Sequence, residues 1–391
     1  MTDTFLRGAA AVVGASEFHY KRGESPDSEL RMTLRAIVEA AADAGVSPRE
    51  IDGFVSYGGG DNDGTVVGAS LMSPRIRWST MIWGGGGGGA AAAITNAAVA
   101  IAAGQARCVL VYRAMAQQDS GRLGYAKHHF DGHMLPHGVG SPAQACALRT
   151  RRMLEHDGVP ESAMRSLVLA DYFHAQRNPY AAAYGRPLDE AEYEASRMIV
   201  EPYRLYDCSR ENDGAVALIL VAADRAEELS PSPAYVLAGS QGAVGGYAVD
   251  SENDLDYTSA GFSGAVGVAE TLWADADLGP DQVDVVQVYE NFSGSGVAAL
   301  IDHGLCPPGA DAGKVMTLEN LTAPHGLLPV NTSGGNLADS FVNGMGLAVE
   351  AVRQVRGTST NQVPDAQVSL FIGGPMAALS SSVLLCTRDV L

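Results

Sequence analysis

The tetrapeptide at residues 289–292, Tyr-Glu-Asn-Phe, combines side chains that could move protons at a reacting carbon. Tyr289 ends an apolar run and precedes a polar turn, so its ring can pack while its hydroxyl faces a cleft. A phenol, with an ordinary pKa of about 10, can donate to a developing enolate or act as an acid or base. Strand alternation would place Asn291 on the same face as Tyr289 and Glu290 on the other. Tyr289 and Asn291 are therefore candidate catalytic residues, although such a tyrosine is ordinarily a core residue satisfied by the backbone.

Two loop histidines are further catalytic candidates. His137 lies in a Pro-His-Gly sequence and His325 in APHGLLPVN, and each could face a pocket or bridge loops. The spacing HxxxH also occurs, but it suits a metal ion only on a helix. Glycines and prolines surround the histidine cluster, so we expect no metal site there. The cluster consists of His128, His129, His133 and His137.

Glycine-rich sequences punctuate the chain where strands should turn into helices. Six glycines occupy 84–89, without the lysine or the acidic residue that phosphate-binding loops require. Gly334 and Gly335 follow Asn331 and Ser333 and predict a close backbone approach at a helix N-terminus.

The apolar periodicity predicts an α/β chain with two similar halves. DAGVSPREIDGFV at 43–55 matches DADLGPDQVDVVQ at 275–287, which predicts a duplicated α/β domain; chance likeness is the alternative. We place the halves at 1–230 and 231–391, with a loop-and-helix insertion at about 118–212. Asp213 and Gly214 should form a turn. The predicted strands are 8–15, 51–59, 106–114, 283–292 and 368–374, and the predicted helices are 29–45, 90–104, 264–276 and 331–357.

Composition excludes several classes of protein. Net charge is −19, with 26 Lys and Arg against 45 Asp and Glu, so duplex nucleic-acid binding is not expected. The chain has 46% hydrophobic residues, and no run is long enough for a membrane span. Five scattered cysteines fit a reducing compartment. With no secretory signal at the start, the expected location is the cytoplasm.

The order of these motifs resembles the thiolase superfamily, and most closely its lipid-transfer-protein branch. The likeness runs from VVGASEF through EPYRLYDCSRENDGAVALIL, YENF and PVNTSGGN to FIGG. It implies the thiolase fold, with two βαβαβ halves in αβαβα layers. It also implies that Ser333, Gly334, Gly335 and Phe341 lie beside a thioester substrate.

The resemblance also implies that thiolase chemistry is lost. The nucleophilic cysteine position falls in Gly84–Gly89, which we interpret as room for a bulky substrate. The family's catalytic histidine falls at Phe341 and its second cysteine at Phe371. YENF is similar to the YDHF or YDNF of the superfamily's sterol-degrading aldolases, in which the tyrosine acts in catalysis. A second tyrosine of those aldolases corresponds to Phe341, so the general base is not identified; His137 or His325 could substitute.

The leading expectation is retro-aldol cleavage of a 3-hydroxyacyl-CoA derived from a steroid or bile-acid side chain. Tyr289 would be the acid/base or the enolate donor, and Asn291 with backbone N–H groups near Gly334 would form an oxyanion site. Coenzyme A enters only as part of the substrate, and no cofactor is expected. The alternatives are a thiolase-like acyltransferase that uses Cys108, Cys146 or Cys208, and a non-catalytic acyl-CoA carrier.

The resemblance further implies two kinds of protein partner. One is a second copy of the chain, in a homodimer. The other is a small subunit of the DUF35 class, with a zinc ribbon and an OB fold, which helps to receive the acyl-CoA.

Overall fold

The computed structural model describes residues 5–58, 63–82, 86–116, 135–242, 266–376 and 379–391. Some predictions fall on other residues and lie outside the described part: those for Gly84, Gly85, His128, His129, His133 and the start of the 118–212 insertion. Within the described part, none of the helices has the length and apolar character needed to cross a membrane.

The described residues form strands and helices in alternation. The strands are β1 Ala10–Lys21, β2 Gly53–Tyr57, β3 Trp78–Ile82, β4 Cys108–Met115, β5 Met198–Val200, β6 Tyr203–Arg204, β7 Asn212–Ala222, β8 Ala234–Gly242, β9 Val285–Val288, β10 Val368–Gly373 and β11 Ser380–Cys386. The helices are α1 Glu29–Asp43, α2 Gly64–Ser70, α3 Gly89–Ala102, α4 Pro142–Glu155, α5 Glu161–Ala175, α6 Glu190–Ala195, α7 Ala223–Leu229, α8 Val266–Ala276, α9 Ser293–Asp302, α10 Ala312–Val315, α11 Leu318–Leu321 and α12 Met345–Arg356. A π-helical turn, Gly335–Asp339, precedes α12.

Nine of the described strands form one mixed sheet, in the order β3-β2-β4-β7-β1-β8-β11-β10-β9. Strands from residues 1–230 therefore occupy one side and those from 231–391 the other. The two sides join through a short pairing of β1 with β8, at Ala11 with Tyr235 and Val12 with Ala234. The domain boundary at 230 stays a prediction, whereas the mixed α/β class is confirmed.

The strands separate two apolar clusters because successive side chains point to opposite faces. Ala10 and Val12 of β1 face the cluster that contains α3 and α12, whereas Ala11 and Val13 face the cluster with α1, α5 and α9. Helix α3 packs on strands of both sides of the sheet, β2 and β4 as well as β8 and β11. Thus α3 and α12 form an inner helical layer.

The composition of α3 explains why it can lie so deep. Ala90 to Ala93 are fully buried, and alanine combines the best helix propensity with the smallest apolar side chain. At Gly239 of β8, a β-carbon would lie 2.2 Å from Thr95 Oγ1 of α3. The Thr95 side chain therefore packs directly against the sheet backbone at Gly239.

Several predicted boundaries were wrong, among them the end of the first strand, predicted at 15 and observed at Lys21. Asp213 and Gly214 do not form a turn but pair with Tyr20 and His19 inside β7, where the Asp213 carboxylate accepts hydrogen bonds from the N–H groups of Gly23 and Ser25. Strand β9 ends at Val288 rather than 292. The helix predicted from 331 begins at Met345, because the π-helical turn and left-handed Asn343 and Gly344 come first.

Candidate active site

Tyr289 lies one residue beyond β9, under the N-terminus of α3. Its N–H donates to the carbonyl oxygen of Ile372 at 2.8 Å, and the residue is 4% exposed. A β-carbon at Gly87 would lie 2.1 Å from Tyr289 Cε2, and one at Gly344 would lie 2.3 Å from Cδ2. The ring is therefore held between two glycine backbones. The glycines do not leave room for a substrate at Gly87, as the sequence had suggested; the tyrosine ring fills it.

The surroundings of Tyr289 keep its phenol protonated. Burial raises the pKa of Tyr289 well above its ordinary value, and the nearby Tyr57, Cys146 and Glu290 raise it further. The backbone N–H of Gly87 opposes this shift in pKa through a hydrogen bond to the phenol oxygen. The hydroxyl stays protonated at neutral pH, while the Gly87 N–H and the positive end of α3 can stabilise a transient phenolate.

Tyr57 and Arg113 support this arrangement from β2 and β4. The Tyr57 hydroxyl donates to the carbonyl oxygen of Asn343 at 2.7 Å, next to Gly344. Arg113 Nη1 donates to the carbonyl oxygen of Tyr57 at 3.1 Å. Strand β2 is thereby tied to the segment that presses on Tyr289.

Two phenylalanines occupy positions where proton-transfer groups were expected from the thiolase pattern. The Phe341 ring lies 6.1 Å from the Tyr289 ring, centroid to centroid, tilted by 51°. Its N–H donates to Asn212 Oδ1 at 2.5 Å. Phe371 is fully buried in the same apolar cluster. The Phe341 ring packs beside Tyr289, and neither phenylalanine side chain has a proton to exchange.

The structure does not place Asn291 by strand alternation, because β9 has already ended at Val288. Asn291 Oδ1 accepts a hydrogen bond from the N–H of Phe292 at 3.1 Å, and the Asn291 carbonyl oxygen accepts one from Ser209 at 2.9 Å. The side chain is thus engaged with the turn that starts α9. Its catalytic role stays a prediction.

His137 and His325 are both exposed, whereas Tyr289 is buried. His137 ends a short 3-10 turn, Leu135–His137, and His325 lies in the loop between α11 and the Gly-rich turn. The described structure does not bring either imidazole into the Tyr289 surroundings, and the identity of the general base stays open.

The Ser333, Gly334 and Gly335 turn is buried behind Tyr289. Gly334 and Gly335 have φ values of 113° and 62°, which favour glycine. The Ser333 carbonyl oxygen accepts from Asn178 Nδ2 at 3.0 Å, and its hydroxyl hydrogen bonds to Asp339. The expected close approach at Gly335 is present, but the group approached is protein: a β-carbon there would lie 2.1 Å from Glu290 Oε1.

Sequence reasoning missed a buried carboxyl pair, Asp171 and Glu290. Both side chains are fully buried. Glu290 Oε1 accepts hydrogen bonds from the N–H groups of Asn336 and Leu337. Burial raises the pKa of Glu290 to about 7, and burial together with Glu290 raises the pKa of Asp171 well above its ordinary value. Only the position of Glu290 beside Tyr289 signalled this pair; Asp171 sits 119 residues away in an otherwise ordinary helix.

The cysteines lack the surroundings of a nucleophilic thiol. Burial raises the pKa of Cys146 to about 11, and those of Cys108 and Cys208 to about 12. A reactive cysteine needs the opposite shift in pKa. Among the described residues, no group of three or more His, Cys, Asp or Glu side chains is arranged to hold a metal ion.

Comparison with known proteins identifies the relatives of this chain. A family model described as "Thiolase C-terminal domain-like" matches residues 246–387. The 17-hydroxy-3-oxo-4-pregnene-20-carboxyl-CoA lyase of Mycobacterium tuberculosis is 32% identical over 97% of this chain and 100% of its own length. A steroid side-chain-cleaving aldolase of Thermomonospora curvata is 33% identical over 98% of this chain and 99% of its own length.

Solved structures agree with these relatives. The "Ltp2-ChsH2(DUF35) aldolase" superposes with a TM-score of 0.90 at 31% identity, covering 99% of this chain and 100% of that one. Human mitochondrial 3-ketoacyl-CoA thiolase superposes with a TM-score of 0.70 at 14% identity, covering 98% of this chain and 100% of that one. The second comparison shows the shared fold.

Proposed function

Because this chain belongs to the family of steroid side-chain-cleaving aldolases, which have the thiolase fold, we propose that it cleaves a steroid 3-hydroxyacyl-CoA with Tyr289 as proton donor. The enzyme is a carbon–carbon lyase that lacks the thiolase cysteine and histidine. The observation that carries the proposal is the Tyr289 phenol, held by Gly87 at the N-terminus of α3, where a thiolase would hold its nucleophile.

The reaction needs no covalent intermediate. A base removes the proton of the 3-hydroxyl group, and the electron pair of that O–H bond forms a ketone as the Cα–Cβ bond breaks. The electrons of the broken bond enter the thioester as an enolate, which takes a proton at Cα to give a shorter acyl-CoA. Tyr289 donates that proton, and the Gly87 N–H with the α3 dipole stabilises the resulting phenolate. Asn291 is proposed as a further donor to the thioester oxygen, and Ser333, Gly334, Gly335 and Phe341 as substrate neighbours.

The proposed substrate is a steroid with a hydroxyl group on the carbon β to a coenzyme A thioester. The name of the mycobacterial relative, with its 17-hydroxy and 20-carboxyl-CoA groups, describes this chemistry. Coenzyme A is part of the substrate, and we propose no separate cofactor. His137 and His325 remain the proposed bases, and each would have to reach the substrate hydroxyl from the protein surface.

We also propose that the chain works as a homodimer with a DUF35 subunit in the cytoplasm. The name of the similar aldolase structure includes such a subunit. Co-expression followed by size-exclusion chromatography with light scattering tests both contacts. A mass equal to one copy of each protein would contradict the homodimer, and separate elution would contradict the DUF35 partner.

The decisive variant is Tyr289→Phe, assayed with 17-hydroxy-3-oxo-4-pregnene-20-carboxyl-CoA and the co-expressed partner. The ring packing between the glycines is kept, and only the donor is lost, so kcat should fall by about a hundredfold or more. Chromatography would follow the 17-ketosteroid and the short acyl-CoA. Tyr112→Phe is the matched control, because Tyr112 is a buried tyrosine on the outer face of β4.

The outcomes separate the three candidate activities. Unchanged turnover in Tyr289→Phe would contradict the mechanism. Binding of the acyl-CoA without turnover by the wild-type complex would instead indicate a carrier. An acyltransferase would lose activity on treatment with iodoacetamide, which the raised thiol pKa values argue against.

A further inference from the structure

Asp171 and Glu290 meet at one point behind the proposed catalytic tyrosine. A β-carbon placed on Gly335 would lie 2.1 Å from Glu290 Oε1, 2.7 Å from Asp171 Oδ2 and 2.9 Å from Asn331 Nδ2. Two carboxyl groups are therefore adjacent in a site from which solvent is excluded. Such a pair cannot carry two negative charges without a large cost in free energy.

The hydrogen bonds show which carboxyl group keeps the charge. Glu290 accepts from the N–H groups of Asn336 and Leu337 through Oε1, and from Asn336 Nδ2 at 3.2 Å through Oε2. By contrast, neither oxygen of Asp171 accepts a hydrogen bond of good geometry from the described residues, although the Asn331 side-chain amide lies close enough to lower the Asp171 pKa. A buried carboxylate without donors is unfavourable, whereas a carboxylic acid there can donate to its neighbour.

We propose that Asp171 is a positioning residue. It is protonated and donates a hydrogen bond to Glu290, and this hydrogen bond fixes the segment 335–344 against Tyr289. Glu290 follows Tyr289 in the chain and binds the backbone of the π-helical turn. The same segment carries Phe341 and Gly344, which contact the Tyr289 ring. The pair thus connects α5 and the end of β9 with the residues that clamp the Tyr289 ring, Phe341 and Gly344.

The other groups around the pair leave this assignment unchanged. The Asn331 amide lowers the Asp171 pKa, but burial and Glu290 raise it more strongly, and Asn331 Oδ1 accepts from the N–H of Val288 at 2.8 Å. Asp339, on the same π-helical turn, is also buried, and this neighbouring carboxyl group raises the Asp171 pKa further. Both neighbouring carboxyl groups, Glu290 and Asp339, favour the protonated form of Asp171.

A dependence on pH follows, with a definite sign. Asp171 holds its proton more firmly in the folded protein than in the unfolded chain, whose carboxyl pKa is near 3.8. The free energy of unfolding from this group is therefore largest below that pKa and falls as the pH rises towards and through the raised value. The loss of the proton would also loosen the clamp on Tyr289.

The test compares Asp171→Asn with Asp171→Ala in the complex with the DUF35 subunit. The amide of asparagine can donate to Glu290 at every pH, so Asp171→Asn should retain the larger part of kcat. In the wild-type enzyme kcat should fall at alkaline pH as Asp171 loses its proton, and this fall should be missing from Asp171→Asn. Alanine removes the donor and leaves the Glu290 charge buried, so kcat should fall by about tenfold. The proposal would be overturned if Asp171→Asn lowered kcat as much as Asp171→Ala, or if kcat of Asp171→Asn still fell at alkaline pH as in the wild type.

A second measurement does not depend on the variants' activity or on the proposed role of Tyr289. Among the protonated-carboxyl bands of the wild-type protein at neutral pH, infrared difference spectra should show one that disappears on alkaline titration and is missing from Asp171→Asn. A variant spectrum identical to that of the wild type would contradict a protonated Asp171 even if Tyr289 proves to be catalytic. Conversely, an unaffected Tyr289→Phe would reject the lyase mechanism and leave the carboxyl signal in place.

Discussion

The segments that precede the two inner helices, α3 and α12, differ in their chemistry, and we call each segment an entrance. The first entrance, residues 86–89, leads into α3 and contains no titratable side chain. The second entrance, residues 334–344, leads into α12 and is surrounded by buried carboxyl groups. The carboxyl groups of the second entrance are those of Asp171, Glu290, Asp339 and, within α12, Glu350.

This difference predicts that the two entrances respond to different substitutions. The first entrance fixes Tyr289 through the backbone of Gly87, which packs against the ring and donates its N–H to the phenol oxygen. The second entrance holds its side of the ring by hydrogen bonds and charge. We therefore expect the first to be sensitive to added volume and the second to loss of a charged partner.

The largest effect on folding is expected from Arg353→Met, at the second entrance. Arg353 pairs with Glu17, and this neighbour is the main cause of its raised pKa. Arg353 is half-buried, and methionine would remove its positive charge from the half-buried Glu17 and the buried Asp339 and Glu350. The free energy of unfolding should fall by about 3 kcal/mol, measured by urea denaturation.

Arg151→Met is the control for that prediction. Arg151 pairs with Glu155 and Glu201 on the surface, where solvent weakens ion pairs. Its loss should lower stability much less. Equal losses for the two variants would mean that the second entrance gains nothing from its charges, and the contrast between the entrances would fail.

The first entrance is tested by Gly87→Ala, for which a smaller loss of stability is expected. The added methyl group would overlap the Tyr289 ring, where Cε2, Cζ and Cδ2 would all lie within 2.5 Å. Displacing the ring should cost about 2 kcal/mol in unfolding free energy. The misplaced hydroxyl should also lower kcat by about a hundredfold.

Gly267→Ala in α8 is its matched control, because a β-carbon there meets no atom within 4 Å. Alanine should leave the stability unchanged or raise it, since it is the better helix former. If Gly87→Ala kept wild-type stability and activity, the tight fit between the first entrance and Tyr289 would be contradicted.

The sequence predicted the structure of the first entrance better than that of the second. Local patterns predicted α3 and placed Tyr289 at a strand end, because apolar runs and glycines are local signals. They could not show that Gly87 and Tyr289 touch, since 202 residues separate them. At the second entrance the pattern predicted continuous helix, whereas buried Glu290 binds the N–H groups of Asn336 and Leu337 and a π-helical turn forms instead. That carboxyl partner is visible only in three dimensions.

The smallest expected effect comes from Tyr57→Phe, which joins the two entrances. The Tyr57 hydroxyl donates to the carbonyl oxygen of Asn343 in the second entrance, while a β-carbon on Gly89, at the start of α3, would lie 2.5 Å from Tyr57 Cβ. Phenylalanine keeps the packing and leaves one buried carbonyl oxygen without that donor. The free energy of unfolding should fall by about 1 kcal/mol.

The same variant reports on the phenol of Tyr289. Tyr57 is one of the neighbours that raise the pKa of Tyr289. Removing the Tyr57 hydroxyl should therefore lower the Tyr289 pKa, although burial still holds it high. Alkaline titration of tyrosine absorbance in Tyr57→Phe, with Tyr289→Phe to identify the signal, measures this shift. A Tyr289 pKa unchanged by Tyr57→Phe, together with unchanged stability, would mean that the two entrances hold the ring independently. A downward shift of the Tyr289 pKa would mean that the first and second entrances act together on the same phenol.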